Sequence, residues 1–234
     1  MGKRIISQAR GKGSLTYRVR RKAYKYRLGY PVSEGTAKIV KLLNSSAHSA
    51  PLAKIIMKKI YFIPAAQGLY EGQDIEIGGD KIEIGNIIQL KNIPIGTKIF
   101  NIEKRPRDGG KMVRTSGGSA ILLKQERDKS IVLMSNKKEI RLHNECRASI
   151  GAVAGQGRTT KPIVKAGKKH HMMKSRSKKW HRTSAVKVNA VDHPFGGGRG
   201  KRIKSKIAKR NAPPGRKVGH IRPRKTGKRK GRRR

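Results

Sequence analysis

The sequence predicts a mainly β protein, with two small barrels in the middle and a long basic extension at each end. Three observations predict it. Acidic residues nearly vanish from both ends, short β-branched runs crowd the middle, and turn residues separate those runs at close intervals.

The charge comes first. The 234 residues carry 59 Lys+Arg against 13 Asp+Glu, a net charge of +46. Residues 1–31 hold 10 basic residues and no acidic one, and residues 165–234 hold 27 basic residues and one acid, Asp192. The middle, 32–164, is nearly ordinary, with 22 basic and 12 acidic residues. Arms of one sign repel themselves and cannot fold compactly alone. They make sense beside a dense polyanion, and nucleic acid releases a counterion for each phosphate neutralised.

Apolar residues make up 35% of the chain and aromatic ones 4%, concentrated in the middle, so about half the chain builds the core. The single cysteine, Cys146, excludes an intrachain disulfide framework and argues for a reducing compartment. No apolar run approaches the ~20 residues that cross a bilayer. Met1-Gly2-Lys3-Arg4 leads only to Ile5-Ile6, too little for a signal peptide, and Ile6 breaks the myristoylation pattern.

The runs at 36–43, 51–57, 60–63, 75–77, 82–90, 99–102, 121–125, 131–135 and 139–143 have strand lengths and strand composition. Gly78-Gly79-Asp80, Asp108-Gly109-Gly110, Gly117-Gly118 and Asn136-Lys137-Lys138 supply turns between them. Residues 119–143 read as a three-stranded meander. About nine strands are too many for one five-stranded barrel, so two barrels are expected, divided near Gly85–Asn92. No segment shows a sustained helical period with a capping residue.

The arms read differently. Residues 1–31 interleave Arg and Lys with Tyr17, Tyr24, Tyr26 and Tyr30, and residues 155–234 are rich in Gly, Pro, Lys and Arg. Glycine lets the backbone approach a phosphate closely. Tyrosine or Trp180 can stack on an unpaired base. The alternative is a solubilising or localisation tail, but solubility alone does not call for such a charge excess.

Motifs for small-molecule chemistry fail. The only cysteine lies 24 residues before His170 and no second cysteine exists to pair with it, so no structural metal is expected, and His170-His171 reads as part of a basic segment. Gly196-Gly197-Gly198-Arg199-Gly200-Lys201 is one residue short of a P-loop and is followed by Arg202 where Ser or Thr is needed. Gly155-Gln156-Gly157 has Thr160 at the third glycine position of a dinucleotide fingerprint. In Asp192-His193-Pro194-Phe195-Gly196-Gly197-Gly198, Asp192 could orient His193 as a general base. The plainer reading is a rigid turn that presses against RNA.

With these residues in view, the chain resembles the universal large-subunit ribosomal protein two family in its archaeal form. The resemblance rests on Gly35-Thr36, Ser49-Ala50-Pro51-Leu52-Ala53, Arg147-Ala148-Ser149-Ile150-Gly151, Gly155-Gln156-Gly157-Arg158, Lys161-Pro162, Lys165-Ala166-Gly167, His170-His171, the run Asn189 to Gly198, and Asn211 to Gly219. Before Asn189 the family usually shows Arg-Gly-Val-Ala-Met, where this chain has Ser184-Ala185-Val186-Lys187-Val188.

The resemblance implies an OB-fold domain at 35–88 and an SH3-like barrel at 89–175, with extensions at 1–34 and 176–234. It implies a non-enzymatic structural constituent of the large ribosomal subunit, in the cytoplasm. Its partners would be large-subunit rRNA, neighbouring ribosomal proteins and small-subunit rRNA at an intersubunit bridge, with no membrane and no small-molecule substrate. It implies no cofactor of the protein's own; any structural Mg2+ would belong to the rRNA. The extension bearing His193 would approach the peptidyl-transferase region.

The candidate RNA-binding residues of the N-terminal arm are Arg10, Lys12, Arg18, Arg20 and Arg21. Behind the barrels come Arg158, Lys161, Lys165, Lys168, Lys169, His170, His171, Lys174, Arg176, Lys178, Lys179 and Trp180. The distal set is Asn189, Asp192, His193, Pro194, Phe195, Gly196, Gly197, Gly198, Arg199, Lys201, Arg210, Arg216 and Lys217. Two other functions stand against this one. A histone-like condenser explains the charge but not two β modules with distinct turn chemistry. An enzyme using His193 lacks any cofactor motif.

Overall fold

A computed structural model describes residues 2–203 and 207–220; residues 204–206, within a segment rich in Lys between Gly200 and Arg210, and 221–234, which end in the basic run Lys228–Arg234, lie outside them. The chain divides into two compact units. Val19–Arg176 forms one, and the described residues of Met1–Arg18 and Ser177–Arg234 form the other.

The first unit holds ten strands: β1 (Gly35–Leu43), β2 (Leu52–Ile56), β3 (Ile60–Pro64), β4 (Asp74–Ile77), β5 (Ile87–Gln89), β6 (Lys98–Phe100), β7 (Ala120–Gln125), β8 (Lys129–Leu133), β9 (Glu139–His143) and β10 (Arg147–Ile150). Their order is β3-β2-β1-β4-β5-β10-β6-β7-β8-β9. The expected meander is present, with β7, β8 and β9 joined antiparallel. Its second turn carries Lys137 at φ +60°, and the Asn136 side chain accepts from the Lys138 amide.

Two hydrophobic cores lie against this sheet. One gathers Ile39, Ile55, Ile63, Ile75, Ile77, Ile87 and Phe100; the other gathers Ile88, Leu90, Ile99, Leu122, Val132 and Ile150. Adjacent strand residues face opposite ways. Ile87 therefore enters the first core and Ile88 the second, and Phe100 and Ile99 divide likewise. Each fully buried Ile, Leu or Phe contributes roughly 1.5–3 kcal/mol. Mainly β content with two cores is consistent with an OB-fold followed by an SH3-like barrel.

The elements differ from the sequence expectation in four places. The run at 82–90 yields strand only at Ile87–Gln89: Gly85 takes φ +99°, and Ile82 and Ile84 before it are exposed. Val40 and Leu123 are exposed inside strands because a register irregularity falls at each. β10 was not expected. It has no alternation, since all four residues are buried, and it inserts between β5 and β6.

Two helices also form, α1 (Ile6–Gly11) and α2 (Ala166–Ser175). Neither contains a buried residue or a side-chain N-cap bond, so no amphipathic period marks them. Among the described residues no helix is long and apolar enough to cross a membrane.

A buried ionic node fastens the start of the β unit. Glu103, fully buried, receives Arg147 Nη2 at 2.9 Å and Nε at 3.3 Å. Arg147 Nη1 donates to the Pro31 carbonyl at 2.7 Å, and its guanidinium lies 5.4 Å from the Tyr30 ring centre. The Tyr30 hydroxyl donates to the Asn101 carbonyl at 2.6 Å and lies 2.8 Å from Ser149 Oγ. Burial, the largest influence, pushes the Tyr30 phenol well above its ordinary value. Tyr30 is thus a core residue and not a base-stacking platform. Cys146 is buried, and burial first of all raises its thiol to about 11, so it stays protonated and unreactive at neutral pH.

The described residues of the second unit hold no comparable core. Among its described residues Ile5 is the only buried apolar side chain. We expect its amides to exchange with solvent far faster than those of β1–β10 in the free protein, and to slow when RNA is added. Hydrogen exchange read by mass spectrometry would show this. Equal protection of both units without RNA would contradict it.

Candidate nucleic-acid interface

The Asn189–Gly198 segment is a tight turn closed by its own backbone. The Asn189 carbonyl accepts from the amides of Asp192 at 3.0 Å and His193 at 3.3 Å. The Gly196 amide donates to the His193 carbonyl, and the Gly197 amide to the Val188 carbonyl. Gly196 is buried, and a side chain there would overlap the Asn189 carbonyl. Gly197 takes φ +70°, the left-handed region that favours glycine.

His193 does not pair with Asp192. Its Nδ1 accepts from the Phe195 amide at 3.1 Å, and its ring packs 5.0 Å from the Phe195 ring. Burial lowers its pKa from the ordinary 6.5, which favours the neutral ring. That geometry assigns the proton to Nε2, leaving a hydrogen-bond donor and no free lone pair for a general base. Asp192 instead faces Lys3, 3.7 Å away, both side chains being exposed. The sequence could not show this, because Lys3 lies at the other end of the chain.

The Asn211–Gly219 segment forms a second turn, with Arg216 and Lys217 amides both donating to the Pro213 carbonyl at 3.1 Å. Pro194, Phe195, Pro213 and Arg216 help line a cavity of about 430 Å3, which joins the two turns. A further hollow of about 470 Å3 is lined by Gly198, Arg199, Lys201, Arg202 and Ile203. Arg199, Lys201, Arg210, Arg216 and Lys217 are exposed, as are Arg10, Lys12, Lys178 and Lys179. Arg18 Nε donates to the Gly13 carbonyl at 2.7 Å and steadies the loop after α1. Trp180 is half-buried, with one face stacked on His181 at 4.7 Å.

The β unit carries its own basic set. Arg158 Nε donates to Ser116 Oγ at 3.0 Å, and the Ser116 amide donates to Ser49 Oγ. This docks the Gly155–Arg158 motif on the Gly117-Gly118 turn, where Gly117 leaves no room for a side chain beside Gln156. Lys161, Lys165, Lys168, His170, His171 and Lys174 are exposed, and Lys169 and Arg176 partly so. Arg20 and Arg21 are also exposed. His170 and His171 meet edge to face at 5.5 Å. Among the described residues no group of three or more His, Cys, Asp or Glu side chains could hold a metal ion.

Residues 83–215 match the family model described as Ribosomal Proteins L2, C-terminal domain. The chain belongs to the ribosomal protein L2 family. It is 49% identical to the large ribosomal subunit protein uL2 of Archaeoglobus fulgidus, over 98% of this chain and 100% of that one. It is 45% identical to the uL2 of Natronomonas pharaonis, over 97% of each chain. Against the uL2 of Methanococcoides burtonii it is 45% identical, over 98% of this chain and the whole of the relative. The family is one of ribosomal structural proteins, not of enzymes. The match begins within the β unit, covers the Asn189–Gly198 turn and ends at Gly215, inside the second turn.

Proposed function

We propose that this chain is a structural protein of the large ribosomal subunit that binds large-subunit rRNA, supports the peptidyl-transferase region and contributes to subunit association. One observation carries the RNA-binding part. Among its described residues, the unit built from the two chain ends buries only Ile5 as an apolar side chain and carries an excess of exposed cations, with Asp192 the one acid among residues 165–234. Such a unit needs a polyanion to offset its self-repulsion and its chain entropy, which costs roughly 1–2 kcal/mol per ordered residue. The candidate residues named from sequence, Arg10 to Lys217, are the proposed contacts. In this reading the OB-fold and SH3-like domains hold those contacts in place, and the protein uses no cofactor of its own.

The test is cosedimentation with the large subunit after a high-salt wash, paired with binding measured against salt. Affinity for an rRNA transcript should fall steeply, with a slope near 0.7–0.9 per phosphate contact in a log–log plot. Structured rRNA should be preferred to duplex DNA, because single-stranded loops offer bases to aromatic and guanidinium faces. Equal affinity for random duplex DNA at matched salt would favour a nucleic-acid condenser and sink this reading.

A further inference from the structure

The first residues of the chain pack against the His193 turn. The Lys3 amide donates to the Val191 carbonyl at 2.8 Å, and a side chain at Gly2 would stand 3.3 Å from that same oxygen. Gln8 ties the other end of this segment: its Oε1 accepts from the Ile5 amide at 3.1 Å, and its side chain fills the space a Cβ on Gly215 would need. Ile5 is buried beneath.

Between these pieces lies a cleft of about 780 Å3. Lys3 and Arg4 line one side, and His193 and Arg216 are also in its lining. Among the described residues no carboxylate lines it; Asp192, which is not part of the lining, stands 3.7 Å from Lys3 Nζ. No hydrogen bond within the described residues engages His193 Nε2. The volume falls within the ~300–1,000 Å3 of ordinary ligand sites.

We propose that this cleft is a composite site for one RNA phosphodiester segment, with Lys3 and Arg4 from the N-terminus and Arg216 from the C-terminal extension contacting the same stretch of backbone. Cationic donors converging on a cleft without acids suit a phosphate, and guanidinium groups suit it best because their fork matches two phosphate oxygens. The inference rests on the rRNA-binding reading and adds where the two ends meet the RNA. Sequence reasoning missed Lys3 and Arg4, which only their charge marked, and the neutral Gln8, which nothing marked.

The test uses the full chain and an in vitro transcript of the large-subunit rRNA. Hydroxyl-radical footprints are compared for wild type, Arg4→Gln and Arg216→Gln. Both variants should lose protection at the same nucleotides. Their affinities should also interact: the loss in the double variant should fall short of the product of the single losses by at least about threefold. Arg216→Gln combined with Lys138→Gln, in the β8–β9 turn of the other unit, should multiply instead. Disjoint footprints, or simple multiplication for Arg4 and Arg216, would overturn the composite site while leaving rRNA binding intact. Failure of the wild-type chain to bind the transcript would overturn the rRNA-binding reading itself, and the cleft with it.

Discussion

Glu103→Ala should lower the melting temperature of the β unit by on the order of 10 °C. The carboxylate is fully buried and accepts from the Arg147 side chain and from the amides of Arg147, Arg107 and Gly109 at 2.9, 3.2 and 3.0 Å. Removing it leaves a buried guanidinium without its counter-charge and three amides without their acceptor. Breaking one side of a buried pair costs about 3–5 kcal/mol, and each kcal/mol is worth roughly 2–4 °C in a unit of this size. Glu103→Gln, which keeps the shape and an acceptor oxygen, should cost less than Ala. Replacing both partners, Glu103→Leu with Arg147→Met, should recover much of the loss, because no buried charge remains. Calorimetry of the three variants checks the order. A Glu103→Ala melt within about 2 °C of wild type would show that the node contributes nothing to the fold.

That node also explains why some of the architecture was readable in the sequence and some was not. Strands such as β1 and β8 announce themselves by local alternation and β-branched composition. β10 does not, because its pattern is set from outside. Arg147 and Ser149 are polar yet buried, and they are satisfied by Glu103 and Tyr30, which lie far away in the sequence. Tyr30 misled for the same reason: among arginines and lysines it looks like a stacking aromatic, while its burial depends on distant residues. α2 had no legible period because a helix without a buried face needs none. The distal motif was legible down to its glycines, since their role is local. The partner of Asp192 was not, because charge patterning along a chain cannot tell which end folds against which.

Large subunits reconstituted with His193→Gln should transfer peptide at close to the wild-type rate, while His193→Ala should be clearly slower. The histidine accepts from the Phe195 amide through Nδ1 and presents Nε2–H, so its remaining capacity is to donate. Glutamine offers both an acceptor and a donor; alanine offers neither. Gly197→Val should be at least as damaging as His193→Ala. An L-residue at φ +70° costs roughly 1–2 kcal/mol, and a Cβ there would stand 2.9 Å from Ala190 Cβ. Gly196→Ala should act similarly, since its added carbon would sit 2.5 Å from the Val188 carbonyl oxygen.

The pH dependence follows from the direction of the His193 shift. Burial lowers its pKa in the folded turn, so the unfolded turn binds the proton more readily. The turn therefore keeps its full stability above the ordinary 6.5 and loses it as pH falls through the lowered value, when protonated Nδ1 can no longer accept from Phe195. His193→Gln should remove that acid-side contribution without abolishing transfer. The measurement is the peptidyl-transfer rate from about pH 5.5 to 8.5, on subunits checked for full assembly. If His193→Gln abolished transfer in assembled subunits, and wild type showed a matching ionisation absent from the variants, positioning would give way to a histidine that moves protons.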